Sequence, residues 1–539
     1  MNYMKNFIGR LLLGAVVAST SLIGTLAHAA VPGITGGTTG SNGSAAFDLT
    51  AADGYTSQPD GASIYTWGYG CKCVPGFLPN TIGTTQGANC PGMQLPGPTL
   101  IVHEGDVVTV TLTNNLPAAV GSTSILFPGF TVASTGGTPG ILTQEAPNAS
   151  CGTGCNTVTY TFTASTPGTH SYYSGTQGDL QVEMGLYGAI VVLPALNGAV
   201  PAGYTKGTNL PDTCVALGSK PARASDDPDF RLSSAAYNNP ATCYDREYLF
   251  QFAEMDPRIH TQAQSQAAVP CAIPTGCMLV ETEPYRSAYF LINGRSMPDD
   301  MDPNYAPQYP NQPYNGNPHM HPGELTLVRV IGQGRMQHPF HEHGNHLRLL
   351  ARDGNLLLSQ TPGSNKLAGP LLFTTTTTPG MTLDAIFQWT AKGLNWDVYG
   401  HLTSDPACTA DANGYYTSNA AAPNYYEWCG DHAKPLESKP FGNVGSNGPV
   451  TLPDANIVVN GAWYGGSPYL GPDATSRAVG STPISPSGTV ANSPTEEAGF
   501  GFMWHSHNER EITTNNIFPG GMMMLMLVDP WTFSINESN

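Results

Sequence analysis

The stretch Asp106 to Asn114, DVVTVTLTN, alternates apolar residues with threonine, a pattern that buries one face only in an extended strand. Thr157 to Thr163, TVTYTFT, alternates in the same way, and Gly188 to Leu193, GAIVVL, reads as a buried closing strand. Shorter runs of this kind lie at Ser63 to Trp67 and Thr99 to Val102. Together they predict a β-sandwich over 47–195. No amphipathic helical pattern stands out.

A second β block is expected over 246–530. Its strands are read at Tyr248 to Phe252, Tyr289 to Ile292, Leu325 to Ile331, Leu347 to Ala351, Asp384 to Trp389 and Met522 to Val528. The alternating Met522, Met524 and Met526 read as the core face of that last strand rather than a methionine metal site. Thr374 to Thr378 reads as an edge strand before the Pro379-Gly380 turn. Residues 30–46 read as a flexible lead-in and 196–245 as a connector. Residues of about 400–499, rich in Asn, Gly, Pro and Ser, read as a long insertion; a third, divergent sandwich there is the alternative.

Residues 1–29 read as an export signal. Lys5 and Arg10 precede a mostly apolar run, and Ala27-His28-Ala29 has the A-x-A form of a cleavage site. The mature chain is expected to start near Ala30 and to be secreted, periplasmic or extracellular, with no transmembrane segment. Removing the signal leaves 19 basic against 39 acidic residues, a balance of −20. That surplus argues against nucleic acid and anionic membranes as partners.

All eleven cysteines follow the signal, so disulfides are expected. Proximity suggests Cys151–Cys155, Cys214–Cys243, Cys271–Cys277 and Cys408–Cys429. Cys71, Cys73 and Cys90 would then supply one bridge and one free thiol. Cys71-Lys72-Cys73 lacks the C-x-x-C spacing usual in thiolate metal sites.

Two short segments carry the chemistry. HPFHEHG at 338–344 and WHSH at 504–507 each place two histidines two residues apart, which aims both rings to one side of a strand. His341, His343, His505 and His507, brought together, suit copper first and zinc second. The bland reading keeps them as hydrogen-bonded interior groups. His319-Met320-His321 adds another H-x-H; its proline flanks suggest an exposed loop pair, and Met320 would be a soft Cu(I) ligand.

These segments resemble multicopper oxidases, which are built from cupredoxin sandwiches. HPFHEHG is similar to that family's HPFHLHG, and WHSHNEREI…GGMM to its WHCH…H…GM. PGPTLIVHEGDVVTVTLTNNL, YFLINGR and GLYGAIVV are also family-like. The resemblance implies an all-β fold of tandem cupredoxin-like Greek-key sandwiches, two or three in number. It makes His338 a type 1 copper ligand and His341, His343, His505 and His507 cluster ligands.

The departures are equally specific. The family's S-I-H-W-H-G appears as Ser124-Ile125-Leu126-Phe127-Pro128-Gly129, without its histidines. Its G-T-Y-W-Y-H-S-H appears as Gly168-Thr169-His170-Ser171-Tyr172-Tyr173-Ser174-Gly175, again without them. Ser506 stands where the type 1 cysteine belongs, and Glu511 where the second type 1 histidine would sit. A blue copper site needs a thiolate, so none is expected, His338 reads as structural, and laccase-type reduction of oxygen is not expected.

Two readings follow. One is a secreted copper protein with a residual type 2-like site facing the first sandwich, acting as an oxidoreductase on a small reductant and oxygen. Glu342 and Glu509 are its proton-handling candidates, and Tyr173 or His170 could complete it. The other is a catalytically inactive scaffold, structural or metal-sequestering. By analogy with two-domain relatives, a homo-oligomer is also expected.

Overall fold

The computed structural model describes residues 31–36, 43–71, 76–78, 90–194, 230–389 (except 234, 274 and 275), 466–469, 499–529 and 535. The threonine alternation is realised: along Val107–Asn114 every second side chain is buried. Val108, Val110 and Leu112 point inward from it, and their burial contributes about 1.5–3 kcal/mol each.

Four principal sheets stack as two sandwiches. One sheet of the first runs in the order Gly168–Tyr173, Tyr187–Leu193, Leu100–His103, Gly33–Thr35 and Phe77–Leu78. The other runs Ser63–Cys71, Ser44–Ser57, Val107–Asn114, Thr157–Thr163 and Ala133–Gly136. Trp67, Tyr69, Tyr160, Phe162, Tyr172 and Ile190 fill the space between them. Part of the stretch read as a lead-in is strand: Ile34 and Ala45 enter this core.

The second sandwich opposes two further sheets. One contains Tyr289–Ile292, Arg246–Met255, Leu325–Gly332, Thr382–Gln388 and Leu347–Arg352. The other contains His319–Met320, Met523–Val528, Gly499–Ser506, His338–Glu342 and, at its edge, Thr374–Thr377. Met522, Met524 and Met526 are fully buried with Phe340, Phe502 and Trp504 in the core between them. Gly466–Tyr469, within the stretch read as an insertion, pairs with Gly499–Ser506 and extends this sheet. Most of 400–499 lies outside the described residues, as do 1–29.

The sandwiches meet through the sheet that holds Arg246–Met255. Ile101, Val191 and Leu193 pack on Leu249 and Ile331. A buried polar set crosses the same boundary: Arg329 pairs with Glu247 at 3.0 Å and Asp384 at 3.6 Å, and Thr169 Oγ1 donates to Asp384. One helix was not anticipated. Pro257–Ala267 starts at Asp256, whose carboxylate accepts Arg258 N–H, with proline at the first turn.

Disulfides join Cys71–Cys90, Cys151–Cys155 and Cys271–Cys277. Cys243 is disulfide-bonded; Cys73, Cys214, Cys408 and Cys429 lie outside the described residues. Among the described residues no helix is long and apolar enough to cross a membrane.

Candidate metal centre

His338–Glu342 and Gly499–Ser506 are antiparallel neighbours in one sheet, with His341 opposite His505 and Phe340 opposite Ser506. Opposed residues share a face, and successive residues alternate faces. The outer face therefore carries His341, His343, His505 and His507. The inner face carries His338, Phe340, Glu342, Trp504 and Ser506. Gly344 ends the first segment at φ 99°, where a Cβ would lie 2.9 Å from the Phe502 ring.

On the outer face the four rings crowd one patch. Ring centroids are 4.9 Å apart for His341–His343 and His341–His507, 5.2 Å for His343–His505 and 5.7 Å for His341–His505. His343 Nε2 and His505 Nε2 are 3.3 Å apart. His341 Nδ1 meets Thr374 Oγ1 at 2.6 Å, and His505 Nδ1 meets the Ser506 carbonyl at 2.7 Å. The carbonyl only accepts, so the His505 proton sits on Nδ1 and its lone pair on Nε2. Burial and the neighbouring His507 and His505 push His341 down to about 4; burial likewise lowers His505. At neutral pH both rings are neutral, the form that binds metal. Phe373, more than half exposed, stands edge-on to His341 at 5.6 Å. Glu509, at the exposed rim, lies 3.3 Å from His507 Nδ1.

The inner face is different chemistry. His338 is fully buried, with Nδ1 2.9 Å from Glu511 Oε2 and Nε2 3.0 Å from Glu254 Oε2. Burial alone would lower its pKa, but the bonds and charges of Glu254 and Glu511 outweigh it and raise it to about 9. His338 is thus an imidazolium with both nitrogens donating, which removes it from the ligand set. Ser506 Oγ and Asn508 Nδ2 complete the bonding of Glu511.

Three expectations need correction. Glu342 points inward, where its Oε1 accepts Thr375 Oγ1 at 2.7 Å and burial raises its pKa to about 8; it does not face the imidazoles. The apolar contact with the first sandwich is made by the other sheet of the second, through Leu249 and Ile331, and not by the sheet that carries the imidazoles. His170 lies elsewhere, with Nε2 against Thr166 O and its ring on Phe130, and the Tyr173 main chain pairs with Leu126. Third, His319 and His321 are not an exposed loop: both are buried, and His319–Met320 pairs in parallel with Met523–Val528. Met320 lies in the core, which takes its sulfur away from any ligand set with them.

Glu254, Thr374 and Asp529 were missed. Glu254 had a signal, as an acid within the apolar run YLFQFAEM. Among the described residues, no group of three or more His, Cys, Asp or Glu side chains closes around a common point. The donor chemistry nevertheless fits one ion. Two nitrogens bound to one tetrahedral ion at about 2.0–2.1 Å stand about 3.3–3.4 Å apart, and His343 Nε2 and His505 Nε2 have that spacing.

Residues 81–197 match the family model described as multicopper oxidase. That range contains 124–129 and 168–175, the two segments that lack the histidines of the family's motifs. No curated protein matches the chain. Similar solved structures include the multicopper oxidase mgLAC, 14% identical, covering 91% of this chain and 88% of that one, TM-score 0.42. A blue copper oxidase from Nitrosomonas europaea is 15% identical over 89% of this chain and 85% of its own, TM-score 0.40. A copper nitrite reductase from the same organism is 18% identical over 65% and 85%, TM-score 0.37.

Proposed function

We propose that this multicopper-oxidase-like chain is an exported copper protein holding one type 2-like ion on His341, His343, His505 and His507. The observation that carries the reading is the 3.3 Å approach of His343 Nε2 to His505 Nε2 beside two more imidazoles. Bound copper would supply one-electron chemistry at an ion with an open position. The protein's own part is to keep His341 and His505 neutral, through burial and the neighbouring imidazoles, and to fix them through Thr374 and the Ser506 carbonyl. Phe373 offers an exposed ring at the rim for an aromatic reductant, and Glu509 is placed to exchange a proton through His507. With His338 and Ser506 engaged in bonds to carboxylate, no electron-relay copper is expected, so substrate must reach the site itself. Export rests on the N-terminal signal pattern and agrees with the disulfides.

A second reading, an inactive scaffold, draws on the same 3.3 Å contact, which an N–H···N bond also satisfies without metal. Metal analysis of the purified protein with paramagnetic resonance separates the two. One copper per chain, coordinated by imidazole nitrogen and lost in His341→Ala plus His505→Ala, supports the first. Copper-free protein that takes up none on titration, with stability unmoved by added Cu²⁺, overturns it.

A further inference from the structure

We infer that the edge strand Ala133–Gly136 and the hairpin after it form a docking surface for a second copy of this chain, the two edges pairing across a twofold axis. Ala133–Gly136 ends its five-stranded sheet, and among the described residues it pairs only with Thr157–Thr163, Ser134 opposite Tyr160 and Thr135 opposite Thr159. On an antiparallel edge strand alternate residues turn their N–H and C=O groups away from the sheet. Ala133, Thr135 and Gly136 are exposed and Ser134 is partly so. The strand carries no charge and no proline, the residues that ordinarily blunt an edge. Gly136 and Gly137, at φ 75° and 66°, then turn the chain into the hairpin of Thr138–Pro139 with Gln144–Glu145. The hairpin stays against the end of the strand: a Cβ on Gly137 would come 2.3 Å from the Glu145 carbonyl oxygen. Gly140 N–H donates to the Thr143 carbonyl at 2.9 Å, which leaves Ile141 and Leu142 at the tip, 97% and 65% exposed. Turn centres ordinarily take Gly, Pro, Asn, Asp or Ser. Two large apolar side chains there gain nothing from the fold and suit a surface brought from outside.

Charge selects the partner. From Val107 to Thr169 the only Asp, Glu, Lys or Arg is Glu145, although such residues make up 11% of the chain. The mature balance of −20 sets two copies against each other wherever their charged faces meet. At this edge they meet without opposing like charges. An open strand edge calls for backbone donors and acceptors, which another polypeptide offers and a lipid surface does not. A strand paired antiparallel with its own mate across a twofold axis is self-complementary. The pairing uses up both open edges, so it closes as a dimer.

The test follows the mature protein by sedimentation velocity over a wide concentration range, with chelator present so that metal plays no part. Wild type is expected to pass from monomer to dimer as concentration rises. Ile141→Ser plus Leu142→Ser, at solvent-facing positions, should keep the wild-type circular dichroism and weaken the dimer about tenfold or more. Thr135→Lys, which brings like charges to the paired edges, should do the same. Mild oxidation gives a readout that needs no weakened dimer. Thr135→Cys should yield a disulfide-linked dimer, and Ser63→Cys, on the opposite edge strand of the same sheet, should not. Wild type that stays monomeric at every concentration overturns the inference. So does a dimer that either variant leaves intact, a dimer linked through Ser63→Cys, or growth into open-ended assemblies. Monomeric wild type that binds neutral phosphatidylcholine vesicles, and loses that binding in the Ile141/Leu142 variant, overturns it in favour of a lipid surface. None of these outcomes bears on the four-imidazole reading.

Discussion

Ser506 Oγ donates to Glu511 Oε2 at 2.5 Å, and the same oxygen accepts His338 Nδ1 at 2.9 Å. In the proteins the chain resembles, this corner holds a thiolate and two imidazoles around copper. Here a hydroxyl, a carboxylate and an imidazolium satisfy one another by hydrogen bonding. The corner is complete without metal.

Restoring sulfur alone should therefore fail. Ser506→Cys is expected to give no intense visible band with Cu²⁺, because Glu511 and Glu254 still hold His338. Ser506→Cys plus Glu511→His supplies the two-histidine, one-cysteine set, and a strong thiolate-to-copper band should appear on copper addition. Absorption spectra of both variants check this; a blue Ser506→Cys single variant would refute it.

His338 should make stability fall with rising pH. Its folded pKa of about 9 lies above the ordinary 6.5, so its contribution is full below about 6.5 and is lost as pH rises through about 9. The shift corresponds to on the order of 3 kcal/mol. Denaturant midpoints from pH 6 to 10 should decline across that window, and His338→Gln should flatten the decline.

Glu342 should behave in the opposite manner to a catalytic acid. Its burial raises the folded pKa to about 8, so wild type loses stability as pH climbs from about 4.5 towards 8. Glu342→Gln removes that penalty and keeps an acceptor for Thr375. Its stability should match wild type in acid and exceed it at pH 8, with copper stoichiometry unchanged. A variant that lost its copper would return Glu342 to the metal site.

Asp384 should be costly to remove. It accepts from Thr169 N–H, Thr169 Oγ1 and Tyr237 OH and faces Arg329, all buried between the sandwiches. Asp384→Ala is expected to cost about 3–5 kcal/mol, because it strands these donors and half the pairing of Arg329. Chemical denaturation measures it.

Much of the fold was legible because alternation is a local property. Val107–Asn114 and Thr157–Thr163 announce themselves, and the two H-x-H pairs announce a shared face. Leu126, Pro128, Gly175 and Ser506 stand out only by comparison with the family's motifs, in which those positions carry ligands. Other features depended on distant partners. Prolines around His319 and His321 suggested a loop, whereas pairing with a strand 208 residues away buries them. Which sheet of the second sandwich meets the first is decided by Leu249 and Ile331, and no local pattern encodes that choice. The helix Pro257–Ala267 carries a clear start at Asp256-Pro257 but few apolar positions to mark its inner side.

The segment 338–343 sorts its residues by parity: even numbers look into the protein, odd numbers out. Deleting one residue just before Pro339 while the sheet contacts hold would exchange the two populations at a stroke. Phe340 and Glu342 would be carried to the imidazole face and the imidazoles driven between the two sheets. That vulnerability makes the spacing of these residues, as much as their identity, a condition for keeping the outward patch.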